Sequence, residues 1–134
     1  MVFVFCLDSD ILIDFLKNKP AAVSKFKELS NDGKLATTSL NLAELFHGVY
    51  RSKATFEAQY SALKGFENQL EVLGFEAQEA ELAGKLSAFL SLKGEEIGAF
   101  DTLIAAICVL NRAKLVTRNS RHFEKIPGLQ VEKW

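Results

Sequence analysis

Val2-Phe3-Val4-Phe5-Cys6-Leu7 runs six apolar residues and stops at Asp8-Ser9-Asp10. A short apolar run rich in β-branched and aromatic residues and ended by an acid predicts a buried strand. Lys34–Thr38 and Lys114–Thr117 repeat the pattern, Glu71–Leu73 is a shorter candidate, and Leu129–Trp134 is a final one. Helical stretches lie between them. Asp10–Asn18 reads as a short helix broken at Lys19-Pro20. Pro20 suits the first turn of the next helix, which runs to about Asn31 ahead of a turn at Asp32-Gly33. Ser39 or Asn41 is placed to cap a helix reaching about Arg51, with Leu42, Leu45, Phe46 and Val49 facing inward. Lys53–Leu70 and Glu76–Lys93 predict two longer helices, the second striped by Leu82, Leu86, Phe89 and Leu90. Phe100–Ala113 carries a near-continuous apolar run and predicts a helix buried on most sides, while Arg118–Pro127 reads as a loop or short helix. Strands alternating with helices predict an α/β fold, a three-layer sandwich whose central, mostly parallel sheet is covered on both faces. Sites in such sheets form beyond the carboxyl ends of the strands.

The composition sets bounds on this reading. At 134 residues, 49% hydrophobic and 25% charged, the chain has the size and make-up of one folded domain spanning 1–134, and neither repeats nor a linker interrupt it. The longest apolar run inside a predicted helix, Leu103–Leu110, is eight residues, far below the ~20 needed to cross a bilayer. The apolar start lacks an early positive charge and meets Asp8, Asp10 and Asp14, unlike a signal peptide, so a cytoplasmic protein is expected. Cys6 and Cys108 sit in apolar segments without metal-ligand spacing and read as buried free thiols. A net charge of −1 excludes simple polycation binding to nucleic acid. Yet Asn111–Lys125 holds five basic residues against Glu124, net +4, leaving −5 for the rest. That patch is either a phosphate contact or an ordinary solvated face. The eleven phenylalanines read as core, with Phe46 and Phe123 as candidates for stacking on bases.

Acids recur where strands end. Asp8 follows the first strand, Glu44 lies early in the helix after the second, Asp101 opens the apolar helix, and Asn119 follows Lys114–Thr117. Each has a local explanation. Asp8 or Asp10 would cap a helix, Glu44 would complete a capping box begun by Asn41, and Asp101 would cap its helix or favour the positive end. Together they are harder to explain this way. At an effective dielectric near 20, two carboxylates about 5 Å apart repel by roughly 3 kcal/mol. Helix-end effects return only about 0.3–1 kcal/mol each. Either the acids are apart, or a cation lies between them, and oxygen ligands select a hard ion, Mg²⁺ or Mn²⁺. Neither histidine is required by such chemistry: His47 follows Glu44 by three residues and reads as surface, and His122 reads as loop packing or a nucleic-acid contact in the basic stretch.

Phe5-Cys6-Leu7-Asp8-Ser9-Asp10, Leu42-Ala43-Glu44-Leu45, Phe100-Asp101-Thr102-Leu103-Ile104-Ala105 and Leu115-Val116-Thr117-Arg118-Asn119 resemble, in order, the signatures of PIN-domain ribonucleases. VapC-type toxins of toxin–antitoxin pairs are the best match, and the likeness extends to Phe123–Leu129. The resemblance implies a homodimeric, metal-dependent endoribonuclease that hydrolyses RNA and is inhibited by a small cognate antitoxin. It implies Asp8 and Asp101 as the principal metal ligands, with Glu44 binding directly or through water. Asn119 falls where many relatives carry a fourth acid, and its neutral amide favours one tightly held ion. Ser9 takes a small-hydroxyl position, to bond a carboxylate or the scissile phosphate or to cap the helix, and Thr117 and Arg118 would position phosphate. The ion would polarise a phosphoryl oxygen and acidify a water for in-line attack. Two other readings stay open. One is a non-catalytic RNA-binding module of the same fold, which the Asn at 119 allows. The other is a haloacid-dehalogenase-type phosphatase with Asp8 as nucleophile, although the chain is short for that core and has no Asp-Asp pair.

Overall fold

The structure, a computed structural model, describes residues 2–134. Among them the order is β1 (Phe3–Leu7), α1 (Ser9–Leu16), α2 (Pro20–Asp32), β2 (Gly33–Thr38), α3 (Ser39–Arg51), α4 (Phe56–Glu67), β3 (Glu71–Leu73), α5 (Ala77–Leu92), α6 (Ala99–Leu110), β4 (Lys114–Thr117), α7 (Ser120–Phe123) and β5 (Gln130–Lys133). The sheet runs β3-β2-β1-β4-β5 and every pairing is parallel. The α/β sandwich expected from the sequence is therefore the fold found, with a sheet parallel throughout. No helix of the described residues is long and apolar enough to cross a membrane.

Chain direction explains the two helical layers. From β1 the chain steps outward to β2 and β3 by way of α1–α4, then returns past β1 to β4 through α5 and α6. Parallel crossovers are right-handed, so reversing direction moves the connecting helices to the opposite face. Side chains along β1 alternate to match. Phe5 and Leu7 pack with Val116 against Ile11, Leu12, Leu45 and Leu63, whereas Cys6 packs with Ala36 and Leu115 against Leu86, Leu90, Ile104 and Ile107. On the first face Phe15 stacks on both Phe26 and Phe66, with centroids 4.3 and 4.6 Å apart, tying α1, α2 and α4 together. Cys6 and Cys108 are buried and free. A hydrogen bond with Cys108, and burial, push the Cys6 thiol well up, so it stays protonated and unreactive.

Several details differ from the sequence expectations. No turn separates α2 from β2: the helix runs through Asp32, and Gly33 both closes it, its N–H donating to Leu29 O, and opens the strand. A Cβ at Gly33 would lie 2.4 Å from the Phe3 carbonyl oxygen, so glycine permits the close approach of β1 and β2. The inward row of α5 is Ala83, Leu86 and Leu90. Phe89 turns outward, 39% exposed, with the Lys93 ammonium 4.7 Å above its ring. Phe123 is fully buried in the core, so its ring is not free to receive a base, while Phe46 is partly buried beside Tyr60, their centroids 6.2 Å apart.

Candidate active site

β1 and β4 are neighbours, yet the chain leaves them in opposite directions, which opens a crevice beyond their carboxyl ends. Asp8 stands at its centre. Its backbone N–H still pairs with Val116 O, while its side chain caps α1 by accepting from Ser9 N at 2.9 Å. Thr117, fully buried at the end of β4, donates its hydroxyl to Asp8 Oδ2 at 2.7 Å. Asn41 Nδ2 donates to Asp8 Oδ1 at 3.0 Å and to Ser9 Oγ at 2.9 Å, and Ser9 Oγ donates in turn to Glu44 Oε1 at 2.9 Å. The direction of this relay is fixed at its far end. Thr38 donates to Asn41 Oδ1 at 2.7 Å and accepts from Asn41 N, so the amide must present its NH₂ to Asp8 and Ser9. Thr38, not Ser39 or Asn41, is therefore the cap of α3, and the capping box read between Asn41 and Glu44 does not form.

Asp101 lies in the first turn of α6, whose cap is Gly98. His122 Nε2 is 3.1 Å from Asp101 Oδ2 and 2.6 Å from the Ile97 carbonyl oxygen, so one N–H serves two acceptors and ties α7 to α6. The carboxylates act on one another. Burial raises the Asp8 pKa; hydrogen bonds from Thr117 and Ser9 oppose this, and the charges of Asp10 and Asp101 add to the rise. Asp8, Ser9, Glu44 and Thr117 thus form one bonded network, with Asp101 close enough for its charge to be felt. Asn119 is exposed at the end of β4, its N–H donating to Thr117 Oγ1 at 3.0 Å. His47 is exposed on α3.

Arg118 is held in place rather than free. Its guanidinium bonds Asp14 and lies 4.1 Å over the Trp134 ring, and its N–H donates to Asp10 Oδ2 at 3.0 Å. Burial alone would raise the Asp14 carboxyl, but Arg118 and Lys19 outweigh it and hold Asp14 below the usual range. The residues that sequence reading gave no part in the crevice are Asn41, Thr38 and the Asp14 and Trp134 that clamp Arg118. Each depends on contacts between distant segments, and the only local hint was a Thr-x-x-Asn spacing after a strand.

An all-oxygen donor set of Asp8, Glu44 and Asp101 suits a hard divalent cation. Among the described residues no three His, Cys, Asp or Glu side chains close into a finished cage. Mg²⁺ does not need one, because it binds one or two carboxylates and keeps several waters. Beside Ser9 and Glu44 an apolar groove of about 570 Å³ runs along Ile13, Leu16, Leu45 and Leu63.

Comparison with known proteins narrows the chemistry. The family profile described as PIN domain matches residues 5–129. The chain is 36% identical over 130 residues to a tRNA(fMet)-specific endonuclease VapC of Shigella flexneri, covering 97% of each. It is 34% identical over 132 residues to Ribonuclease VapC2 of Rickettsia felis, covering 98% of each. Among solved structures, VapBC2 of Rickettsia felis bound to a promoter DNA fragment superposes with a TM-score of 0.90 at 33% identity, over 98% of this chain and 99% of that one. DNA-bound VapBC of Salmonella typhimurium gives 0.87 at 33% identity, over 100% and 99%.

Proposed function

The chain belongs to the PIN-domain family and, within it, to the VapC-type endoribonuclease toxins of type II toxin–antitoxin pairs, and on that footing we propose how its residues carry the reaction. Membership favours an endoribonuclease over the haloacid-dehalogenase-type phosphatase and over a non-catalytic RNA-binding module. Asp8 and Asp101 would hold a single Mg²⁺ or Mn²⁺, with Glu44 reaching it directly or through water. When bound, the ion supplies polarisation of a phosphoryl oxygen and a water acidified for in-line attack. The chain's own residues prepare the centre. Thr117 and Asn41 orient both oxygens of Asp8, Ser9 turns Glu44 toward the crevice, and Asn119 lines its edge without adding charge. Arg118 gives one nitrogen to Asp14, and half of its side chain stays exposed, leaving donors for a phosphate.

The observation that carries this reading is the convergence beyond β1 and β4 of Asp8 and Glu44, linked through Ser9, Asn41 and Thr117, with the charge of Asp101 acting on an Asp8 carboxyl already raised by burial, a strain that a bound cation would relieve. The substrate is RNA, and relatives named for tRNA(fMet) make a tRNA the first to test. A cytoplasmic homodimer held inactive by an antitoxin completes the proposal, and the apolar groove beside Glu44 gives such a partner a place to block the crevice. Metal-free protein, separated from any antitoxin, should cleave RNA only when Mg²⁺ or Mn²⁺ is restored. Asp101→Asn should abolish cleavage with its circular dichroism unchanged. Wild-type rates in EDTA, or in both Asp8→Asn and Asp101→Asn, would overturn it.

A further inference from the structure

Beside the acids, past Asn119 and His122, the surface dips into a concavity of about 490 Å³. Resting on the nuclease reading, we propose that this concavity is a subsite for the RNA backbone, binding a phosphate next to the scissile one through Arg121, Lys125 and Lys133. Its lining contains no carboxylate. All three cations are exposed, and among the described residues none of them makes an ion pair. Lys114 and Arg118, from the same basic stretch, are by contrast paired with Glu132 and Asp14. Lys133 is in register with Thr117 on the neighbouring strand, so it emerges at the same carboxyl edge of the sheet as the crevice.

The concavity and the acids share a wall. His122 lines the concavity and touches Asp101, and Asn119 lines it and bonds the Thr117 that holds Asp8. A negative centre next to unpaired positive charge fits a ligand that repeats its anion. Asp8 and Asp101 would hold the cation that receives one phosphodiester, and the next would need no metal. RNA carries that repeat, whereas an acidic protein tail would bring carboxylates to the carboxylates. The chain outside Asn111–Lys125 is net −5 even with Lys133 counted in it, so Arg121, Lys125 and Lys133 also focus an approaching polyanion toward the crevice.

The test is the triple variant Arg121→Gln/Lys125→Gln/Lys133→Gln, with Lys27→Gln/Lys53→Gln/Lys85→Gln as an equal loss of charge elsewhere and Lys125→Gln alone as a milder probe. For single-stranded RNA cleaved with Mg²⁺, KM of the triple variant should rise roughly tenfold with kcat within about twofold. The salt dependence of binding should flatten by roughly 0.7 log unit per log unit of salt for each phosphate that the variant no longer neutralises. The control variant should match wild type. Binding of the same RNA, measured in EDTA with Asp101→Asn protein with and without the triple change, reports on the subsite even if wild type fails to cleave. Unchanged RNA affinity and salt slope in the triple variant and in Lys125→Gln would overturn the proposal. So would retained RNA affinity with weakened binding of the antitoxin, which would make the concavity a protein-binding site.

Discussion

Asp8 caps a helix and stands at the crevice, so the carboxylate that fulfils the local reading is also the one that the proposed chemistry would use. Its raised pKa works against the fold. Native protein holds the proton more tightly than unfolded chain, so stability declines as pH rises from the ordinary aspartate range through the raised value and stays lower above it. Asp8→Asn is expected to be inactive, yet at neutral pH without divalent ions at least as resistant to urea as wild type. Asp14 runs the other way. Its lowered pKa contributes stability that is present above the usual aspartate range and lost on acidification, and Arg118→Gln should remove that acid-side loss in the same urea titrations. Asn41→Leu strips donors from Asp8 and Ser9 and leaves the buried Thr38 hydroxyl without the acceptor for its proton. It should cost about 1–3 kcal/mol in urea unfolding and about 10–100-fold in metal affinity or activity. The acids were legible in the sequence because Asp8 closes a strand, Asp101 opens a helix and Glu44 lies early in the helix after the second strand. Asn41 was not, since its value lies in partners 32 and 33 positions away.

Strands and helices were legible almost throughout because apolar runs and stripes are local signals: Lys114–Thr117 and Glu71–Leu73 appear with the expected ends. The misplaced features are those decided by a neighbour. The Asp32-Gly33 pair looks like a turn, yet helix passes directly into strand there, because β1 lies against Gly33. Phe89 looks like core, yet small Ala83 takes the inward position and the ring goes out beneath Lys93. Gly33→Ala tests the first of these. Its Cβ meets backbone rather than a movable side chain, so the β1–β2 pairing must shift. A loss of about 1–3 kcal/mol in urea unfolding is expected, typical of overpacking.

At the scale of the molecule, a cation bound by Asp8 and Asp101 would stabilise the native state alone. At a concentration a hundredfold above Kd that amounts to about 2.7 kcal/mol, so Mg²⁺ or Mn²⁺ should raise the Tm of wild type and leave Asp8→Asn and Asp101→Asn unmoved. Strand order carries a consequence for synthesis. Proteins leave the ribosome amino end first, and β1 gains its second neighbour only when Lys114–Thr117 arrives. Until then the nascent polypeptide has Asp8 and Glu44 but neither Thr117 nor the flank that the later strands build. A cell translating this message would therefore face no competent nuclease until Lys114–Thr117 has been decoded. Ribosome-stalled chains ending before residue 114 should leave RNA intact, and released full-length chains should cut it.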